Sequence, residues 1–190
     1  GAPDDLRITQ NPGSTVAGSS VTGPPAVVIE DQFNNPIPGA SVTVTEQNGQ
    51  AFDGGTETVL TDQTGSATFD DLIIEAAGQY NLVFSSPGLS NQTSNAFTVS
   101  PAAADAGQTL AAVPNGSAGD KTLITITVND EFGNRVPGVS GDISVTVTGA
   151  NAGADVDDVT EPTNGIYTTG YTPTSTGIDN IGITLGAAAI

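Results

Sequence analysis

Apolar and polar residues alternate with period two along most of this chain. Ile124, Ile126 and Val128 are separated by Thr125 and Thr127, Val42 and Val44 by Thr43, and Val145 and Val147 by Thr146. Tyr80, Leu82 and Phe84 share a face, as do Ile181, Ile183 and Leu185. Successive side chains of a strand point to opposite faces, so this pattern predicts strands that bury one face and wet the other. No stretch repeats its apolar residues at helical spacing. The 24 Gly and 12 Pro break the chain at short intervals, so the elements are short and bounded by turns, and the fold class is all-β. Asn48-Gly49, Asn115-Gly116 and Asn164-Gly165 are the expected tight turns with left-handed residues.

The pattern occurs twice. Glu30-Asp31-Gln32-Phe33-Asn34-Asn35-Pro36-Ile37-Pro38-Gly39 returns as Asn129-Asp130-Glu131-Phe132-Gly133-Asn134-Arg135-Val136-Pro137-Gly138, 99 residues later. At the same offset Val27 and Ile29 become Ile126 and Val128, and Leu82 and Phe84 become Ile181 and Ile183. One β-sandwich takes roughly 100 residues, so the repeat predicts two tandem sandwiches: domain 1 over 1–100, a small-residue linker over 101–107, and domain 2 over 108–190. The expected core of the first holds Val27, Ile29, Phe33, Val42, Val44, Phe69, Leu72, Tyr80, Leu82 and Phe84. That of the second holds Ile124, Ile126, Val128, Phe132, Val145, Val147, Tyr167, Ile181 and Ile183. Asp31 and Asp130 each close a strand before a loop containing Asn and Pro, where a carboxylate accepts hydrogen bonds from nearby backbone N–H groups.

One element has no second copy. The last strand of the first domain, Ala96 to Ser100, has its counterpart near 195–199, past Ile190. The second domain therefore lacks its final strand in this sequence, and three accounts fit. The chain is a segment of a longer protein, or the residues from Gly186 to Ile190 swing round to serve, or another subunit donates the strand.

Composition narrows the chemistry. Twenty-one acidic residues face three basic ones, Arg7, Lys121 and Arg135, for a formal net charge of −18. Such a chain cannot neutralise phosphates and does not dock on nucleic acid, nor is any segment suited to direct membrane insertion. Eleven acids and one base fall in residues 1–100, ten acids and two bases in the rest, so the acidity belongs to both domains. There is no Cys, His, Met or Trp, which removes disulfides, most nucleophile–base pairs and the aromatic platforms that sugars stack on. No catalytic residue and no organic cofactor is expected. Lys121, the only lysine, is the one side chain able to form an intramolecular Lys–Asn or Lys–Asp cross-link.

The repeated Asp-x-Phe-x-Asn-x-Val/Ile-Pro-Gly segment, followed by an alternating Val/Thr strand, resembles the bacterial immunoglobulin-like domains of the invasin/intimin type. Gly65-Ser66-Ala67-Thr68-Phe69-Asp70-Asp71-Leu72, Ala77-Gly78-Gln79-Tyr80 and Thr93-Ser94-Asn95-Ala96-Phe97-Thr98-Val99 add to the likeness. The stretch Gly165-Ile166-Tyr167-Thr168-Thr169-Gly170-Tyr171-Thr172-Pro173 also resembles filamin-type repeats. The resemblance implies two tandem immunoglobulin-like β-sandwich domains from a secreted or cell-surface bacterial protein such as an adhesin. It further implies a non-enzymatic spacer whose partners are neighbouring domains of the same protein or other copies of the chain. Two other readings stay open at this point. One is a filament subunit assembled by strand donation. The other is a calcium-dependent module, for which Asp155, Asp157 and Asp158 supply alternate carboxylates on one loop. The same acidic run also suits a solvated loop, as do Asp70 and Asp71 with Glu75.

Overall fold

The computed structural model describes residues 1–190, and the chain divides into two compact units, Gly1–Ser100 and Pro101–Ile190. Both are built of strands, with one short 3-10 turn at Ser140–Asp142. No helix is long and apolar enough to cross a membrane.

The first unit runs β1 (Asp5–Gln10), β2 (Thr15–Val16), β3 (Ala26–Glu30), β4 (Ser41–Glu46), β5 (Thr58–Leu60), β6 (Ser66–Thr68), β7 (Gly78–Tyr80), β8 (Leu82–Ser85), β9 (Gln92–Thr93) and β10 (Phe97–Ser100). Strand order is β1-β3-β6 on one side and β5-β4-β8-β9 on the other. β10 lies between β7, its antiparallel partner, and β2, its parallel one. Val27, Ile29, Val42, Val44, Leu72, Leu82 and Phe84 are wholly buried between the layers. Phe69 packs on Phe84 at 5.6 Å between ring centroids, a tilted pair that adds to the area both rings bury.

The second unit runs β11 (Ala104–Ala112), β12 (Thr122–Asp130), β13 (Ile143–Gly149), β14 (Thr160–Thr163), β15 (Ile166–Tyr171), β16 (Asp179–Leu185) and β17 (Ala188–Ala189). Its sheets are β11-β12-β15-β14 and β13-β16-β17. β12 follows the alternation exactly as its sequence reads, with Ile124, Ile126 and Val128 wholly buried and Leu123 exposed. Tyr167, also wholly buried, closes the core and donates its hydroxyl hydrogen to the Val136 carbonyl at 2.8 Å.

Several expectations change. The segment 101–107 is not a linker throughout: Ala104 to Gly107 open β11, and Asp105 pairs with Asn129. Phe33 is 71% exposed and Phe132 only half-buried. The preceding aspartate accepts the N–H of each phenylalanine and turns the chain outward there, so the apolar ring leaves the core. Val145 and Ile181 are half-buried as well. Gly49 and Gly165 adopt φ of 77° and 69°, whereas Gly116 is not left-handed. Gly165 is fixed on two counts: positive φ, and an added Cβ 2.6 Å from that of Arg135.

Candidate functional site

The acidic side chains were the residues most suggestive of chemistry, and many of them serve the backbone. Asp31 accepts hydrogen bonds from the N–H groups of Phe33 and Asn35, both at 2.9 Å, and from the Asn35 amide. Asp130 repeats the arrangement with Phe132 at 3.0 Å and Asn134 at 2.8 Å, and adds the Ala102 N–H at 2.8 Å. The bonds from Asn35 and Phe33 hold the Asp31 carboxyl far below the usual carboxylate range. For Asp130 burial pushes upward, but the bonds from Asn134, Ala102 and Phe132 outweigh it and the net direction is downward.

The same logic recurs in other loops. Asp62 caps the turn at Thr64 and Ser66, Asp71 binds the Thr56 N–H and hydroxyl, and Glu161 accepts from Gly165 and Gly138. Each is displaced downward, led by the bonds from Thr64, Thr56 and Gly165 respectively. Asp179 is pushed up by burial but pulled down further by Asn151 and the Tyr171 hydroxyl. Asn151 itself is buried at 7% exposure and spends both ends of its amide: Oδ1 accepts from Thr174 and Ser175, and Nδ2 donates to Asp179 and the Ser175 carbonyl. All six displaced carboxyl groups are therefore ionised at neutral pH. An ionised carboxylate accepts protons and hydrogen bonds and does not donate them.

Asp155, Asp157 and Asp158 lie on the exposed segment between β13 and β14. Asp155 and Asp157 border one shallow depression, whereas Asp157 and Asp158 border another, beside Lys121. Asp157 forms an ion pair with Lys121, both side chains being about half exposed: 50% and 56%. Nowhere do three acidic side chains converge in a manner suited to a metal ion. Asp70, Asp71 and Glu75 form no such cluster either, and Asp71 is committed to Thr56.

Two strand-edge arrangements stand out instead, and sequence pattern revealed only the second. In the first unit β2, near its start, and β10, at its end, lie side by side and parallel, with Val99 opposite Thr15 and Ser100 opposite Val16. The Ala17 N–H extends the pairing to the Ser100 carbonyl at 2.8 Å. Phe97 and Val99 of β10 point inward at 4% and 1% exposure. A two-residue strand gives almost no period signal, so β2 could not be read from the sequence. In the second unit, the segment after β11 and the residues just before β16 border an open groove of about 720 Å³. Its lining residues Pro114, Asn115, Gly177, Ile178 and Asp179 lie 99 residues after those of β2 and β7, the two strands that flank β10 in the first unit.

Comparison with known proteins agrees with this architecture. The family model of the carboxypeptidase regulatory-like domain matches residues 26–111. No curated protein sequence matches the chain. Among solved structures it is similar to FdeC, an Escherichia coli adhesin, at 26% identity and a TM-score of 0.61, over 100% of this chain and 62% of that one. It is also similar to InvD of Yersinia pseudotuberculosis, at 25% identity and a TM-score of 0.57, over 97% of this chain and 54% of that one. The chain thus spans less than two thirds of either structure. Its repeated sandwich, its doubled aspartate turn and these likenesses make the fold that of two tandem immunoglobulin-like β-sandwiches, similar to those of FdeC and InvD.

Proposed function

We propose that the chain is a non-enzymatic spacer within a secreted or cell-surface adhesin, holding another part of the protein away from its anchor. The observation that carries this reading is the parallel β2–β10 pairing, which puts the second strand of the first unit next to its last strand. Pulling such a unit by its two ends slides the strands past one another, so the hydrogen bonds between them bear load together. An antiparallel pair pulled at one end would instead open bond by bond. The carboxylate-locked loops support a structural role. The likeness to FdeC, an adhesin, supports the surface setting.

A replacement experiment tests the proposal. In the parent protein, residues 1–190 are exchanged for an unrelated tandem immunoglobulin-like pair of the same length, and surface display and adhesion are measured. A spacer leaves both intact. Loss of adhesion with display intact would assign binding to this segment and refute the spacer reading.

A further inference from the structure

We propose that the first unit carries a recognition site for a guanidinium group, a cavity bordered by the carboxylates of Glu46 and Asp53, and that its occupant is an arginine side chain of a basic protein partner. The cavity measures about 290 Å³ and lies between the loop after β4 and the segment that runs into β7. Phe52, Ile74, Ala76 and Tyr80 form its apolar wall. Ile74 and Tyr80 are buried, Phe52 is half-buried, and Asp53 and Ala76 are exposed. The loop is pinned in place: the Asp53 N–H donates to the Ile73 carbonyl at 3.0 Å, and Asp53 Oδ2 accepts the Glu75 N–H at 2.7 Å.

Glu46 is the residue that points to a cation. It alternates with Val42 and Val44 on the inner face of β4 and is 3% exposed. Its carboxylate accepts the Asn48 N–H at 2.6 Å, the Asn48 side-chain amide at 3.0 Å and the Gln50 N–H at 3.4 Å, all neutral donors. No cation of the chain pairs with it: the ion pairs join Gly1 to Asp31, Arg7 to Glu30 and Lys121 to Asp157. A charge out of water is ordinarily paired. Asp130 is also buried without a cation, but four donors at 3.0 Å or less surround it, whereas Glu46 holds three, one of them long. Bracing the turn does not require the burial, since Asp62 and Asp71 brace theirs from exposed positions. Nor does the sandwich require the charge. Glu46 lies opposite Leu82, and the residue in the same register of the second unit, opposite Ile181, is Val147. Both carboxylates act on the cavity wall: burial, then the charges of Glu46 and Asp53, push the Tyr80 phenol up.

The walls select among cations. An ammonium is compact and strongly hydrated, so an apolar cavity strips it at high cost. A guanidinium is planar and weakly hydrated, stacks on aromatic rings and offers five N–H donors in a fixed fork. Phe52 and Tyr80 supply ring surface, and Glu46 and Asp53 supply acceptors for charge-assisted hydrogen bonds. The formal charge of −18 draws in a basic partner and repels a second copy of this chain, which disfavours Arg135 of another copy as the source. The site stands apart from the spacer reading, which concerns how the unit bears load.

The test titrates the full chain with the capped tripeptide Gly-Arg-Gly and with its lysine and citrulline analogues, at physiological ionic strength. NMR shifts of the Gln50, Ala51, Phe52 and Asp53 amides read the binding. The arginine peptide moves them saturably, and the lysine and citrulline peptides bind at least about tenfold more weakly. Asp53→Asn weakens the arginine peptide by about tenfold, the loss of one charge-assisted hydrogen bond. It leaves the melting temperature unchanged, because the asparagine oxygen still accepts the Glu75 N–H. Glu46→Gln weakens binding in the same way, and where it unsettles the turn at Asn48, Asp53→Asn and Phe52→Ala decide the matter. No saturable shift at these amides, or shifts spread over the acidic loops of both units, would overturn the site. Equal binding of the lysine peptide would overturn the guanidinium assignment. Self-association of the chain that Arg135→Ala abolishes would overturn the foreign partner in favour of a second copy. Adhesion is not read in any of these measurements, so failure here is distinguishable from failure of the spacer reading.

Discussion

Replacing Asp130 by alanine tests the claim that carboxylates lock these sandwiches. The side chain has no exposed surface and accepts four hydrogen bonds, from the N–H groups of Ala102, Phe132 and Asn134 and from the Asn134 amide. A hydrogen bond to a charged group is worth about 1.5–3 kcal/mol, so the four are worth at least about 6 kcal/mol before solvent is counted. Water reaches part of this loop once the carboxylate is gone, because Glu131 and Gly133 are exposed, and it recovers roughly half of that sum. The expected cost is about 3 kcal/mol, comparable to breaking other buried charged networks. For a unit of this size that lowers the melting temperature by about 10–20 °C. Differential scanning calorimetry on the full chain reads it, with NMR cross-peaks of β12 and β15 identifying the second unit's transition. Asp130→Asn keeps the shape but turns an amide hydrogen toward a donor, so it also destabilises. A shift below about 3 °C for Asp130→Ala would refute the idea that this turn contributes substantially to the unit's stability.

Four further outcomes are expected. The carboxyls of Asp31, Asp62, Asp71, Asp130, Glu161 and Asp179 all sit low. Their contribution is complete above their unfolded values near pH 4 and is lost as pH falls through the folded ones. Calorimetry at low salt should therefore show a stable plateau down to about pH 5 and a steep loss below about pH 4, the plateau being helped by partial relief of the −18 charge. Tyr167→Phe leaves the Val136 carbonyl and the Val139 N–H, at 2.8 and 3.1 Å from the hydroxyl, without that partner. It should cost about 1–3 kcal/mol by urea denaturation. Thr122 has a buried hydroxyl oxygen with no hydrogen-bond partner, so Thr122→Val should raise the second unit's melting temperature by a few degrees. Calcium should raise the melting temperature no more than magnesium at equal concentration, since Asp155, Asp157 and Asp158 do not converge; a calcium-specific rise reversed by chelator would overturn that.

The alternating strands were legible because each has one apolar face and one wet face. β12 shows this best, its isoleucines and Val128 buried as their spacing requires. The Asp31 and Asp130 turns were legible because their bonds reach only two to four residues along the chain. Phe33 was misread because apolarity alone does not reveal that its backbone sits at a turn corner. The Asn151–Asp179–Tyr171 network was not legible, since Asn151 meets Asp179 across 28 residues and polar side chains carry no periodic signature of burial. Ile181 was expected in the core because its repeat partner is there. Its exposure depends on the neighbouring strand and not on its own segment.

The aspartate turns also bear on recovery after damage. Each is a loop closed over only a few residues, so re-forming it costs little chain entropy and takes far less time than the long-range pairing of a sandwich. Neither unit carries a sulfur bridge whose re-formation would require an oxidant. A unit pulled open can begin closing from Asp31 or Asp130 in whatever redox surroundings it meets.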